Sequence, residues 1–301
     1  MSSKKKIEPP PVTNNERLKL LLPVLAIIIA LLLPLFVHMA RFKLPATFNQ
    51  ALYSRVYEVW FADLPRTPTP EGFKAAMKRW YAMDASQDEK AAFDRLCRHT
   101  VFDALESIGL QHYELPPAKG DYQDELNLAP TIARPFVEQL ETIISDHGLG
   151  NASETALSMI LMLDQMPRNI YRNNQGVIYS HYDRIARSLS RYALAEKLDR
   201  HQVVKDSAAH RWFFYMPFEH SEFVEDQRLI EEMITEVRNE AVRRDDKPSI
   251  NFSNMGLEYA KKHKDIIEQF GRFPYRNKWL GRSSTEEEQR WIDGGGDTFG
   301  S

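Results

Sequence analysis

The chain has 301 residues, a net charge of −3 and a pI near 6.3. That length suits one large domain or two small ones, and the near balance of charge gives no global argument for a nucleic-acid partner, which needs a concentrated basic surface, so none is expected. Its single cysteine, Cys97, excludes an intramolecular disulfide and a multi-cysteine zinc centre.

Residues 1–17 are Lys- and Pro-rich and read as a disordered tail. Residues 18–40 read as a transmembrane anchor. Leu20 to Ala40 holds no Asp, Glu, Lys or Arg, and as a helix it would span about 31 Å at ~1.5 Å per residue, the thickness of a bilayer core. Pro23 and Pro34 lie within it, which membrane helices tolerate. A cleaved signal peptide fits less well, because the best cut, after Ala40, has His38 at the −3 position. The expected partner of residues 20–40 is therefore a lipid bilayer. Lys4, Lys5, Lys6, Arg17 and Lys19 precede the span, against Arg41, Lys43 and Arg55 after it. That bias favours a cytosolic N-terminus. The patterns at Asn151 and Asn251 would accept glycans only if the domain were lumenal.

Residues 44–293 read as one all-α domain. Phe48 to Ala62 places Leu52, Val56, Val59 and Trp60 on one helical face. Leu64 to Pro70 is a proline-rich loop. Glu71 to Met83 is a second helix, and Ser86 with Glu89 is a capping box opening a third that stops near Gly109. Residues 110–133, with Pro116, Pro117, Gly120 and Pro130, read as a long surface loop. A helix from Pro135 to Ser145 follows, and Ser153 is the expected cap of the next one. Helices are then expected over 180–198, 206–216, 221–244 and 254–270, with Lys247-Pro248-Ser249 as a break, Ser221 as a cap and a last helix from Ser284. Residues 294–301 read as a flexible tail. With no alternating β-branched run, the class is all-α, with helices paired by short loops.

Three proline stretches organise this array. The helix before Pro167 is apolar all round from Ala156 to Leu163, the mark of a buried helix. Asp164 ends it, where a buried carboxylate is costly and the helix dipole disfavours negative charge. It needs a cation, and Arg168 and Arg172 are the nearest. Two helices separate Pro167 from Pro217, and two more separate Pro217 from Pro274. In an up-down array all three stretches return to one end. Asp164, Gln165, Arg168, Asn169, Arg172, Glu219, His220, Glu222, Arg272, Arg276 and Asn277 would gather there, with His263 approaching from two turns before Phe270.

The segments Leu163 to Arg172, Phe214 to Glu222, His263 to Ile267, Gly271 to Asn277 and Leu280 to Glu287 resemble the signatures of the family named for domain of unknown function 924. The resemblance covers roughly residues 50–293. It implies a tetratricopeptide-like antiparallel helical array and a residue set, without a reaction. Tyr275 stands where the family commonly has histidine, and Ser284 where proline is common. The membrane span is an addition to a family that is usually soluble.

Two functions fit the cluster. Arg168, Arg172, Arg272 and Arg276, with Asp164, Gln165, Asn169 and Asn277, form a binding set for an anionic small molecule or an acidic peptide. Alternatively, His220 with Glu219, Glu222 and His263 supplies proton transfer or metal ligation for a hydrolase. No paired-histidine metal motif or glycine-rich phosphate loop is present, so no metal or cofactor is expected. Buried ion pairs and capped helix ends could also account for every member of the cluster without function.

Overall fold

The computed structural model describes residues 42–62, 64 and 69–299. The expected tail (1–17) and anchor (18–40) lie outside the described residues. Among the described residues every regular element is helical, and no helix is long and apolar enough to cross a membrane.

The first helix, α1 (Gln50–Phe61), starts where the Asn49 side chain accepts from the Leu52 N–H, and it buries Tyr53, Val56, Trp60 and Phe61. α2 (Pro70–Tyr81) is capped by Thr69 and opens on proline, whose missing N–H costs nothing in a first turn. The Trp60 and Trp80 rings stack 6.3 Å apart, and the Trp80 indole donates to the Trp60 carbonyl at 2.8 Å. The expected capping box of Ser86 and Glu89 opens α3 (Gln87–Ser107). Cys97 is buried there, and burial pushes its thiol up to about 12, so it packs as an inert small side chain.

The surface loop expected over 110–133 holds no regular element over 110–121 but is corrected from Tyr122 onward. Asp121 caps a long helix, α4 (Tyr122–Ile160), whose early turns bury Glu125, Ala129, Ile132 and Ala133. Pro130 and Pro135 lie inside it. Pro135 has no N–H for the Thr131 carbonyl. The buried Tyr113 hydroxyl lies 3.3 Å from that oxygen and donates to the neighbouring Ile132 carbonyl at 2.8 Å. Gly148, at φ 82° and ψ 171°, breaks the helical path midway and adopts a left-handed φ that side chains rarely allow. Ser153 lies inside the helix and donates to the Leu198 carbonyl.

Pro167 does not end this helix. From Leu161 to Gln165 the chain widens into a π-helical turn, in which the Met166 N–H reaches back five residues to the Leu161 carbonyl. α5 (Met166–Ile170) follows with Pro167 in its first turn. A short turn, α6 (Gln175–Val177), leads to a second π-helical segment (Ile178–Tyr182) and then α7 (Asp183–Ala195). Ser207 caps α8 (Ala208–Glu219), which carries Pro217 inside its last turns. α9 spans Val224–Arg243, and Ser221 does not cap it by the expected pattern; its hydroxyl accepts from the Phe223 N–H and from Arg187. Lys247-Pro248-Ser249 opens α10 (Lys247–Phe270), with Asp246 as its cap, where a break is expected. Thr285 and Glu288 form a capping box for α11 (Glu286–Asp293). Residues 294–299 of the expected flexible tail make contacts with the helical domain. The Gly296 N–H donates to the Trp291 carbonyl at 3.0 Å, and Phe299 stacks on His263.

The stretch Ala156–Leu163 is the centre of the core. Its side chains from Leu157 to Leu163, Ser158 apart, are fully enclosed, each large apolar one contributing roughly 1.5–3 kcal/mol. α4 packs along α7, α8 packs on α9, and α9 runs back along α10 after a three-residue turn. This arrangement brings the ends of α4, α8 and α10 into one neighbourhood.

Candidate functional site

A cavity of about 700 Å³ opens where these ends meet. Gln165, Arg168, Asn169, Arg172, Glu219, His220, His263 and Arg276 line it, so most of the residues singled out in the three proline stretches face one space. Asp164 lies directly behind His220 and is fully buried. Glu222, Arg272 and Asn277 are elsewhere. Glu222 accepts from Arg282 and from the Phe273 N–H, Arg272 pairs with Glu288, and Asn277 donates to Ser284 and Glu288. These three brace the 271–288 segment and do not line the cavity.

The π-helical turn sets the geometry behind His220. One extra residue per turn shifts the register of everything beyond it, a device found often at functional sites. Asp164 there accepts from His220 Nδ1 at 2.8 Å and from the Gln165 side-chain amide, with Arg168 at 3.8 Å. Arg168 itself is held by Asp183, through hydrogen bonds of 2.9 and 3.2 Å. Arg172 does not serve Asp164 as expected; it makes a paired contact with Asp94 on α3 at 2.7 and 2.8 Å.

Burial works to raise the Asp164 carboxyl, but the charges of His220 and Arg168 and the hydrogen bonds from His220 and Gln165 prevail and hold it below its ordinary value. His220 is lowered, chiefly by burial and then by Arg168, with Asp164 pulling the other way. The ring is therefore neutral at physiological pH. With Nδ1 donating to Asp164, its Nε2 is the bare acceptor, and that nitrogen has no hydrogen-bond partner among the described residues.

The second histidine is arranged in the same way. His263 Nδ1 donates to the Tyr259 carbonyl at 2.9 Å and lies 3.2 Å from Glu219 Oε1. The two rings are 6.4 Å apart.

Arg276 differs from the other arginines of the cavity. It is 4% exposed and forms no ion pair among the described residues. Its Nη1 donates to the His220 carbonyl at 2.9 Å, and its Nε has no partner. Tyr179 and Phe273 flank it, each ring centre 4.4 Å from the guanidinium carbon. Trp60, Trp80 and Trp212 complete an aromatic wall. Trp212 lies so close over Gly256 that an added Cβ would come within 2.2 Å of its ring. Among the described residues no group of three or more His, Cys, Asp or Glu is arranged to hold a metal ion.

Several participants had no signal in the sequence. Asp94 and Asp183, which occupy Arg172 and Arg168, are ordinary helix-surface positions by pattern. Tyr179 belongs to the second π-helical segment, whose register no 3.6-residue periodicity describes. Phe299 lies in a glycine-rich tail.

The burial of neutral His220 makes stability depend on pH. Unfolded His220 takes its proton near 6.5, whereas the folded ring takes it only at lower pH. Stability from this group is complete above about 6.5 and is lost as pH falls through that value. His181, lowered mainly by burial, acts in the same direction. The Asp164 and Glu222 carboxyls, both lowered, add a second loss below their ordinary values of 3.8 and 4.5. The urea midpoint is therefore expected to fall between pH 7 and 5 by a margin that shrinks in His220→Gln. An equal fall in both proteins would contradict the neutral, buried assignment.

No curated protein matches the chain. Among solved structures, it is similar to a protein of unknown function, ATU0120, from Agrobacterium tumefaciens. The two are 24% identical with a TM-score of 0.51, over 81% of this chain and 98% of that one. At that identity the likeness shows a shared all-α fold. Residues 56–296, which include the cavity lining from Trp60 to Gly296 but not Asp297, Thr298 and Phe299, match the family described as bacterial protein of unknown function (DUF924), and the chain belongs to that family.

Proposed function

We propose that the cavity binds an anionic small molecule, with Arg276 as its anchor. The observation that carries this reading is a buried guanidinium at the cavity wall that forms no ion pair among the described residues, the charges of Glu222 and Asp183 acting on it only from farther off. A buried charge left alone is costly, and a paired one is stabilised by several charge-assisted hydrogen bonds. An entering anion would provide that pairing. The aromatic wall, and residues 296–299 at its edge, favour a small molecule with an apolar part over an acidic peptide. The hydrolase alternative draws its support from the His220–Asp164 contact.

Calorimetry with inorganic phosphate tests the anchor. Arg276→Met is expected to weaken binding at least tenfold, since one charge-assisted contact is worth about 1.5–3 kcal/mol. Arg172→Met, whose guanidinium is committed to Asp94, should change it little. Equal affinity in wild type and Arg276→Met would remove the reading. A wild type that binds no anion, together with an Arg276→Met that fails to fold, would favour the purely structural account of the cluster.

The same proposal retains residues 20–40 as a single-pass anchor in a bilayer, supported by a span without acidic or basic residues. Protease protection on intact membranes tests it and shows which side the domain faces. A tetratricopeptide-like arrangement belongs to this reading too, supported by the back-to-back packing of α9 and α10.

A further inference from the structure

We propose that the cavity hydrolyses a phosphate ester, with His220 as general base toward water and His263 as general acid toward the leaving oxygen. This rests on the anion-binding reading above and adds a reaction to it.

The two histidines come from different helices and are prepared in the same manner. Each has Nδ1 committed on the protein side, His220 to Asp164 and His263 to the Tyr259 carbonyl, with Glu219 Oε1 3.2 Å from the second ring but not hydrogen-bonded to it. Each side chain lines the cavity, and neither Nε2 has a hydrogen-bond partner among the described residues. His210, a buried histidine of the core, is different. Its two nitrogens meet the Ser207 hydroxyl and the Tyr57 hydroxyl at 2.6 and 2.7 Å, so its hydrogen-bonding capacity is used internally. A carboxylate behind a histidine fixes its tautomer and orientation and stabilises the imidazolium when one forms. His220 has such a carboxylate and His263 has Glu219 nearby as counter-charge, and with rings 6.4 Å apart the two can serve the two ends of one displacement.

Arg276 supplies the third element. Its Nη1 bond to the His220 carbonyl fixes the guanidinium beside the base, where a planar donor fork suits the non-bridging oxygens of a phosphate. Phosphoryl transfer depends mainly on positioning and charge stabilisation, which a fixed arginine and two oriented histidines provide. Trp60, Trp80 and Trp212 give the organic group an apolar wall. Phe299 covers one face of the His263 ring at 3.5 Å, and His263 still lines the cavity.

With a monoester, one bond to phosphorus forms as another breaks. The oxygen of water forms a bond to phosphorus, and the proton it sheds passes to His220 Nε2. The bond from phosphorus to the ester oxygen breaks, its electron pair stays with that oxygen, and the proton on His263 Nε2 neutralises it. Inorganic phosphate and an alcohol result. One water is consumed, and exchange with solvent restores both rings. Asp164 and Glu219 are positioning residues, the second also supplying the counter-charge to a protonated His263.

The full-length protein in detergent is tested with p-nitrophenyl phosphate and phenyl phosphate, alongside calorimetric binding of inorganic phosphate. Wild type should turn over both. His220→Gln should lower kcat by about 10²–10⁴-fold on each. His263→Gln should lower kcat far more for phenyl phosphate, whose poorer leaving group needs the proton, than for p-nitrophenyl phosphate. Glu219→Gln should share that dependence on the leaving group, which a loss of folding would not produce. Equal losses on the two esters in His263→Gln overturn the acid assignment. A wild type that binds phosphate and hydrolyses neither ester overturns the reaction and leaves the anion pocket standing. A wild type that does not bind phosphate overturns both.

Discussion

Asp164→Ala is expected to lose about 3–5 kcal/mol of folding stability, the usual cost of removing one partner from a buried charged contact. The carboxylate has no exposure to solvent and is engaged by His220, Gln165 and Arg168. Deleting it leaves the His220 Nδ1 and the Gln165 amide without their acceptor in a site that water does not reach, and it removes half of the negative charge around Arg168. Asp183 still holds that arginine, so the damage should centre on His220. Asp164→Asn separates volume from charge. It fills the same space and keeps one acceptor, so it should cost less than the alanine. It should also release the His220 tautomer, visible as a change in the imidazole nitrogen resonances. Urea denaturation followed by circular dichroism reads the stability. An Asp164→Ala midpoint close to wild type would remove the buried contact from the account.

This expectation shows what a sequence conveys and what it leaves out. That Asp164 must be buried and partnered was legible, because a carboxylate at the end of an apolar helix has few other solutions. That His220 would be the partner was not, because Arg168 and Arg172 are nearer along the chain. Both are claimed by carboxylates that pattern alone leaves on helix surfaces, Asp183 and Asp94. The meeting of the three proline stretches was also legible from helix counting, although the prolines act differently from the expectation. Pro167 and Pro274 sit in first turns, where an N–H is not needed, as does Pro248 at the expected break, and Pro217 lies within α8. Proline marks a start or is carried within a helix here, where its sequence context suggests a stop. The same bias hid the first turns of α4. There Pro130 and Pro135 masked a helix whose buried face is defined by contacts far away in the chain.

Glu125 tests that hidden face directly. The expectation of a surface loop would make Glu125→Ala nearly silent. In the fold, Glu125 is 6% exposed and receives Arg184 at 2.7 and 3.2 Å and Arg187 at 2.8 Å. Arg187 also lies 3.8 Å from Asp226, whose other oxygen is taken by Arg191. Three guanidinium groups thus share two carboxylates beneath the start of α4. Burial, outweighing both carboxylates, already lowers Arg187 from its ordinary value. Removing Glu125 leaves Arg184 with the Pro116 carbonyl and Arg187 with Asp226 as its one carboxylate and the Ser221 hydroxyl. The expected loss is about 3–5 kcal/mol, because it strands buried charge. Glu138→Ala provides the contrast from the same helix. Its contact with Arg134 is exposed on both sides, and such pairs contribute about 0–1 kcal/mol. If Glu125→Ala and Glu138→Ala shift the denaturation midpoint equally, residues 122–133 do not carry the α4–α7 interface. If only the first is damaging, the segment that looked most like a loop is one of the supports on which α7, and with it Asp183 behind the cavity, depends.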